Sequence, residues 1–121
     1  MPTWTAVELR SLDRAHEIRV AGRRKDGSLR TLTIVWHVVV DGALYVRSVN
    51  GADGQWYKGV TRHLEGAVSW DGQTRDARYT PDDSHDASID TAYAGKYGTG
   101  SATRAITNGK ATATTLRIDP R

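Results

Sequence analysis

The chain has 121 residues, which suits a single domain with a hydrophobic core of its own. It contains no cysteine, which excludes a disulfide framework and a thiolate zinc site. Its formal charge of +3 is a mild basic excess, and the arginines are scattered rather than clustered, so nucleic acid is not an expected partner. No apolar run approaches the roughly 20 residues of a membrane span, and the first ten residues lack a signal-peptide core. We therefore expect a soluble, cytoplasmic protein with no membrane partner.

The N-terminal segment predicts a capped helix. Thr5 followed by Glu8 forms a capping-box pattern, and Trp4 with Leu9 fits a hydrophobic staple. The helix is predicted over residues 6–16.

The next segment predicts antiparallel strands. Strands are expected over residues 17–22, 29–40, 43–48, 66–70 and 73–79. Asp26-Gly27, Asp41-Gly42 and Asp71-Gly72 are hairpin-turn signals. Thr33–Val40 is almost continuously apolar or β-branched, which is typical of a strand covered on both faces.

The remaining elements complete the predicted fold. Helices are expected over 55–64 and 85–97, a mobile loop over Gly98–Lys110, and a last strand over Ala111–Ile118. The sum is a mainly β fold with flanking helices, a six-stranded, mostly antiparallel split β-barrel that occupies residues 1–121 as one domain.

Residues 30–70 carry the motifs that indicate a family. Tyr45-Val46-Arg47-Ser48 ends a hairpin, a loop with two glycines follows, and Gln55-Trp56-Tyr57-Lys58 opens a helix before the strand Ala67-Val68-Ser69-Trp70. This stretch resembles the flavin-binding split-barrel superfamily, which includes pyridoxamine-phosphate-oxidase-like proteins and deazaflavin-dependent nitroreductases. With the segment Ala92–Gly98, the whole chain is similar to an uncharacterised bacterial domain family (DUF2255-like).

The resemblance implies a flavin- or deazaflavin-dependent oxidoreductase, with FMN or the 8-hydroxy-5-deazaflavin coenzyme as cofactor and a small molecule as substrate. A strand–loop–helix junction directs backbone N–H groups at one spot, where an anion is favoured. Arg47 and Lys58 flank that junction and Ser48 adds a hydroxyl, so these three are the predicted phosphate ligands. The flat ring is expected over the long strand, near Trp36, His37 and Trp56. The resemblance also implies a homodimer, whose partner would cover the second face of Thr33–Val40.

Each of these residues has a structural alternative. Arg47 and Lys58 also suit solvated charges, the tryptophans also suit a core or dimer interface, and His37 also suits a buried core histidine. No catalytic motif, nucleotide-binding glycine fingerprint or metal-ligand spacing occurs, so the catalytic residues stay unknown. The alternative function is a cofactor-free split barrel, either a small-molecule binder or a non-redox enzyme such as an isomerase or cyclase.

Overall fold

The N-terminal helix begins as its capping pattern predicts. The computed structural model describes residues 3–121, and helix α1 spans Ala6–Arg14. The Glu8 amide donates to Thr5 Oγ1 (3.1 Å), and the Thr5 amide donates to Glu8 Oε1 (2.9 Å), so the capping box is confirmed. Trp4 is buried before the cap, where its indole N–H donates to the carbonyl of Ile118 (2.8 Å). The helix ends two residues before the predicted His16.

The described chain contains one antiparallel sheet of seven strands. They are β1 Ile18–Gly22, β2 Thr33–Val35, β3 His37–Val40, β4 Ala43–Val46, β5 Glu65–Trp70, β6 Gln73–Pro81 and β7 Leu116–Pro120. Their order is β2-β1-β5-β6-β7-β4-β3. The two terminal strands of the sheet, β2 and β3, follow each other directly in the chain. The sheet therefore curls into a nearly closed barrel, which confirms the predicted split-barrel fold.

The strand count differs from the predicted six because the long strand is divided. At Trp36 the backbone leaves the ladder: β2 pairs with β1, whereas β3 pairs with β4 at the other end of the sheet. Two of the predicted Asp-Gly turns join consecutive strands, and both residues of Asp41-Gly42 and of Asp71-Gly72 have positive φ. That backbone is the one a tight hairpin turn requires.

Four further helices flank the barrel. A single 3₁₀ turn over Gly51–Asp53 leads into α2 Gln55–Thr61, and α3 Asp86–Tyr97, α4 Ser101–Thr107 and α5 Gly109–Thr112 precede the last strand. None of the helices in residues 3–121 is both long and apolar enough to cross a membrane.

The prediction for the C-terminal segment was wrong in two places. The expected mobile loop contains α4, which buries Thr103 and Ile106. The expected strand at Ala111 begins only at Leu116, because Ala111 belongs to α5, where its amide donates to the Asn108 side chain (2.9 Å). Burial against the barrel therefore outweighs the weak local helix signal of this small, polar segment.

The core has two parts. Alternate strand residues such as Val20, Leu44 and Val68 fill the barrel. On its outer side Val38, Tyr45, Ile89, Tyr93 and Ile106 pack together between the sheet and helices α3 and α4. The expectation that Thr33–Val40 is covered on both faces therefore holds for β3, which α3 covers within the same chain.

Candidate functional site

A largely apolar cavity opens where the barrel is split. It measures about 330 Å³ and lies between β2, the loop after β4, the start of α2 and helix α4. Its lining residues are Thr33, Ile34, Val35, Trp36, Arg47, Val49, Asn50, Trp56, Ala102 and Ile106. This volume lies at the lower end of the range of small-molecule pockets. We call it the split cavity.

Two tryptophans, Trp36 and Trp56, line the split cavity. Trp36 is half-buried and stacks on Tyr97, with ring centroids 4.0 Å apart and an angle of 8° between the planes. Trp56 is half-buried on α2 and meets Tyr57 edge to face. Indole rings held by neighbouring aromatic groups offer flat, rigid surfaces to a planar ligand.

The mouth of the split cavity is unusually apolar for a surface. Ile34 is 50% exposed and Val49 is 49% exposed, and they are two of the three large hydrophobic side chains that stand out as exposed among residues 3–121. Both line the cavity. Because both exposed apolar groups converge on one cavity, we take this cavity as the candidate binding surface.

Arg47 reaches the split cavity, but its guanidinium is bound within the chain. The residue is 1% exposed. Its Nε donates to Thr115 Oγ1 (2.9 Å), one terminal nitrogen donates to Asp90 (2.5 Å), and the other lies 3.5 Å from Asp86. The guanidinium also lies over the ring of Tyr93. Arg47 thus ties α3 to the barrel, and its joint contact with an anion alongside Lys58 stays a prediction.

Ser48 and Lys58 do not line the split cavity. Ser48 is buried: its amide donates to Thr114 Oγ1 (2.8 Å), while its hydroxyl has no hydrogen-bond partner within the described chain. That hydroxyl lies so close to Gly54 that a Cβ there would be 2.3 Å away. Lys58 is exposed on α2. The structure therefore brings Trp36, Arg47 and Trp56 together at one cavity and places Ser48 and Lys58 outside it.

His37 is a buried histidine on the side of the barrel that α1 and α3 cover. Its Nε2 lies 2.6 Å from the carbonyl of Leu12 and 3.1 Å from Lys96 Nζ. Because a carbonyl only accepts, Nε2 carries the proton and donates to Leu12. Burial, assisted by the Lys96 charge, lowers the pKa of His37 to about 4. The imidazole is therefore neutral near pH 7, and it does not line the split cavity.

Lys96 is the cation that accompanies His37. Its ammonium donates to the His37 carbonyl (3.2 Å) and lies over the ring of Tyr97. Burial lowers the pKa of Lys96 to about 8. Sequence reasoning did not select this residue, although it stands at helical spacing on α3.

The larger cleft of the molecule lies elsewhere and is acidic. It measures about 630 Å³, and Asp82, Asp83 and Asp86 contribute to its lining. Asp82 accepts hydrogen bonds from Ser84 and forms an ion pair with Arg117 (3.2 Å). Within residues 3–121 no three acidic or histidine side chains are grouped to hold a metal ion. Asp82 and Asp86 are thus engaged in ion pairs with arginines of the same chain, and the split cavity is the better candidate for a ligand.

Sequence reasoning selected Trp36, Arg47 and Trp56 and missed most of the other residues that line the split cavity. Ala102 and Ile106 close one side from α4, a segment expected to be a loop. Their spacing of four residues is the one local signal of a helix that faces the barrel. Ile34 and Val49 are apolar residues without a pattern that marks them as exposed.

The fold and this cavity define the class of protein. A conserved hypothetical protein from Mycobacterium tuberculosis shares the fold at 13% identity, with 97% of this chain and 79% of that chain covered and a TM-score of 0.62. An F420 reductase matches at 14% identity (93% and 91% covered, TM-score 0.55), and an FAD-binding protein from Mesorhizobium loti matches at 21% identity (97% and 88% covered, TM-score 0.53). The molecule is a split barrel of the kind found in flavin- and F420-binding proteins.

Over residues 8–118 the chain matches DUF2255, a family described as an uncharacterized protein conserved in bacteria, and it belongs to that family. No curated protein matches it. The resemblance seen in the sequence is thereby confirmed at the levels of fold and family. Identities this low establish the fold and leave the function to be argued from the site.

Proposed function

We propose that this chain binds a flavin-type cofactor, FMN or the 8-hydroxy-5-deazaflavin coenzyme, with the ring in the split cavity, and that it acts as an oxidoreductase on a small molecule. The observation that carries the proposal is the pair Trp36 and Trp56 on the walls of a ring-sized apolar cavity at the split of the barrel. That an F420 reductase and an FAD-binding protein share the fold supports it further.

The lining of the split cavity suits chemistry that a cofactor carries. It contains no Asp, Glu or His, and its polar side chains are those of Thr33, Arg47 and Asn50. A bound flavin or deazaflavin would supply the hydride transfer. The residues of the chain would orient the ring against the indoles and exclude water from it, and neither task requires an acid or a base.

A homodimer belongs to the same proposal. The resemblance implied a homodimer whose partner would cover the second face of Thr33–Val40, but α3 covers the β3 half of that run. Beside the resemblance, the structure offers the exposed pair Ile34 and Val49 at the mouth of the split cavity; Ile34 belongs to β2, a terminal strand of the sheet. A second copy seated there would bury both side chains and close the cavity.

Cofactor titration tests the proposal. FMN and the deazaflavin coenzyme are added separately to the wild type, to Trp56→Ala and to Leu9→Ala, and binding is followed by calorimetry. Leu9 is the control because it is a half-buried apolar residue that packs on the same core cluster as Trp56 and does not line the cavity. Loss of stacking on Trp56 should weaken binding about tenfold, whereas Leu9→Ala should change it little.

Two outcomes count against the proposal. If the wild type binds neither cofactor, the redox function fails and the cofactor-free binder or non-redox enzyme takes its place. If a cofactor binds and the two variants bind it equally well, the ring lies outside the split cavity.

A further inference from the structure

Lys96 differs from the other lysines of the chain in its burial and in its partners. Lys25, Lys58 and Lys110 are exposed, whereas Lys96 lies half-buried on α3, beside β3. Among residues 3–121 no ion pair joins Lys96 to a carboxylate, and Asp13 of α1 acts on it only from a distance. The Lys96 side chain has therefore lost part of the solvation that stabilises an ammonium, with no carboxylate in contact to replace it.

The contacts of Lys96 Nζ suit an uncharged amine. His37 Nε2 lies 3.1 Å from Nζ and directs its proton at the carbonyl of Leu12, 2.6 Å away. An ammonium has donors only, so beside this N–H it meets a second donor and finds one acceptor, the His37 carbonyl (3.2 Å). An uncharged amine keeps the bond to that carbonyl, and its lone pair accepts a share of the Nε2–H proton. The hydrogen-bond geometry thus favours the nucleophilic form of Lys96.

Two groups act in the opposite direction and favour the ammonium. One is the carboxylate of Asp13, which is exposed and therefore screened by solvent. The other is the ring of Tyr97, whose centroid lies 5.4 Å from Nζ. Burial outweighs them and lowers the pKa of Lys96 to about 8. At pH 7.4 about one fifth of Lys96 is then uncharged, against about one thousandth of an ordinary lysine.

We propose that Lys96 is an acyl-acceptor amine, which small acyl phosphates modify in preference to the other three lysines of the chain. The Nζ lone pair attacks the acyl carbon, an N–C bond forms, the C–O bond to phosphate breaks, and the phosphate leaves with the proton that the amine loses. The amide N–H that remains still donates to the His37 carbonyl. An imine formed with an aldehyde would lack that N–H, so the site suits acyl transfer better than carbonyl condensation.

Competitive labelling tests the proposal. A limiting amount of acetyl phosphate is added to the folded protein at pH 7.4, and acetylation of each lysine is quantified by mass spectrometry. Lys25, Lys58 and Lys110 are internal controls, because they are exposed in the same molecule. Lys96 should react about tenfold faster than Lys58, which is less than the ratio of uncharged fractions because a less basic, half-buried amine attacks more slowly.

The dependence on pH and on folding identifies the cause. The preference for Lys96 should shrink as the pH rises from 7 towards 10.5, since the exposed lysines then lose their protons as well. It should vanish in guanidinium chloride, where the contact with His37 is gone.

A pair of charge variants tests the surroundings of Lys96. Asp13→Asn removes the carboxylate that favours the ammonium, so Lys96 should be acetylated about twofold faster at pH 7.4. Asp53→Asn removes the same charge from an exposed site on the turn before α2, and it should leave the rate unchanged.

Four results would overturn the assignment. Two come from the wild type at equilibrium with its folded state: Lys96 reacts no faster than Lys58 at pH 7.4, or its preference is the same at pH 7 and pH 10.5. A preference that persists in the unfolded chain would assign the effect to local sequence. Equal effects of Asp13→Asn and Asp53→Asn would reduce it to net charge. The labelling needs no flavin, so its outcome is separate from that of the cofactor titration.

Discussion

Removing Asp90 should destabilise the protein by leaving a buried charge without its main partner. The Arg47 side chain is fully buried, whereas Asp90 is 43% exposed. After Asp90→Ala, the terminal nitrogen that faced it retains only the Ile106 carbonyl, at 3.4 Å. A charge-assisted hydrogen bond is worth about 1.5–3 kcal/mol, and solvent screening at the exposed carboxylate places the loss at the lower end, about 1.5 kcal/mol.

Urea unfolding measures this loss. A change of about 1.5 kcal/mol shifts the midpoint by on the order of 1 M for a domain of this size. Thr91→Ala is the matched control, because Thr91 is the exposed neighbour of Asp90 on α3 and its replacement has a similar effect on helix propensity. Its midpoint should stay close to that of the wild type.

A double variant separates the buried charge from general damage. In Arg47→Met/Asp90→Ala the charge is gone and an apolar side chain fills its place, so this protein should be more stable than Asp90→Ala alone. If Asp90→Ala unfolds at the same midpoint as Thr91→Ala, the ion pair with Asp90 does not stabilise the fold, and the reasoning from the buried charge is wrong.

Three further predictions concern stability. Gly22→Ala should prevent normal folding, because its Cβ would lie 2.3 Å from the backbone carbonyl oxygen of Gly59, whereas Gly59→Ala meets only the flexible Arg30 side chain and should fold; circular dichroism and thermal melts decide both. Thr5→Ala should lower the unfolding free energy by about 1 kcal/mol through loss of the helix cap, measured in urea. His37 has a folded pKa of about 4 against an ordinary 6.5, so the unfolded chain binds the extra proton. Stability should therefore fall as pH drops from about 6.5 to about 4, and His37→Gln should flatten that part of the profile; an unchanged slope would contradict the buried neutral imidazole.

Local rules predicted the parts of the fold that local geometry decides. The capping box at Thr5 and the turns at Asp41 and Asp71 involve residues two or three apart, so their chemistry is legible in the sequence. The carboxylates that bind Arg47 stand 39 and 43 residues further along the chain, and no local pattern connects them to a strand end. The predicted anion ligand was therefore chosen by position alone, while its burial depended on the packing of α3.

The division of the long strand could not be predicted either, since Thr33–Val40 is almost continuously apolar or β-branched and contains no turn signal. The strand is divided because its two halves pair with different strands: β2 pairs with β1, and β3 pairs with β4 at the opposite end of the sheet. The same explanation covers the seventh strand. Every residue of the run suits a strand, and the choice of partner is made by the barrel as a whole.

The split cavity results from the way in which the chain is held at Trp36, where the long strand is divided into β2 and β3. Where the backbone leaves the ladder at Trp36, its polar groups need other partners. Tyr93 donates to the Trp36 carbonyl (3.2 Å), and the His37 amide donates to the Tyr97 hydroxyl (3.2 Å). Tyr97 also stacks on Trp36 and fixes the indole. Helix α3 thus supplies the hydrogen bonds that a neighbouring strand would otherwise provide. Strands β2 and β3 therefore do not pair with each other, and the space beside Trp36 stays open to a ring.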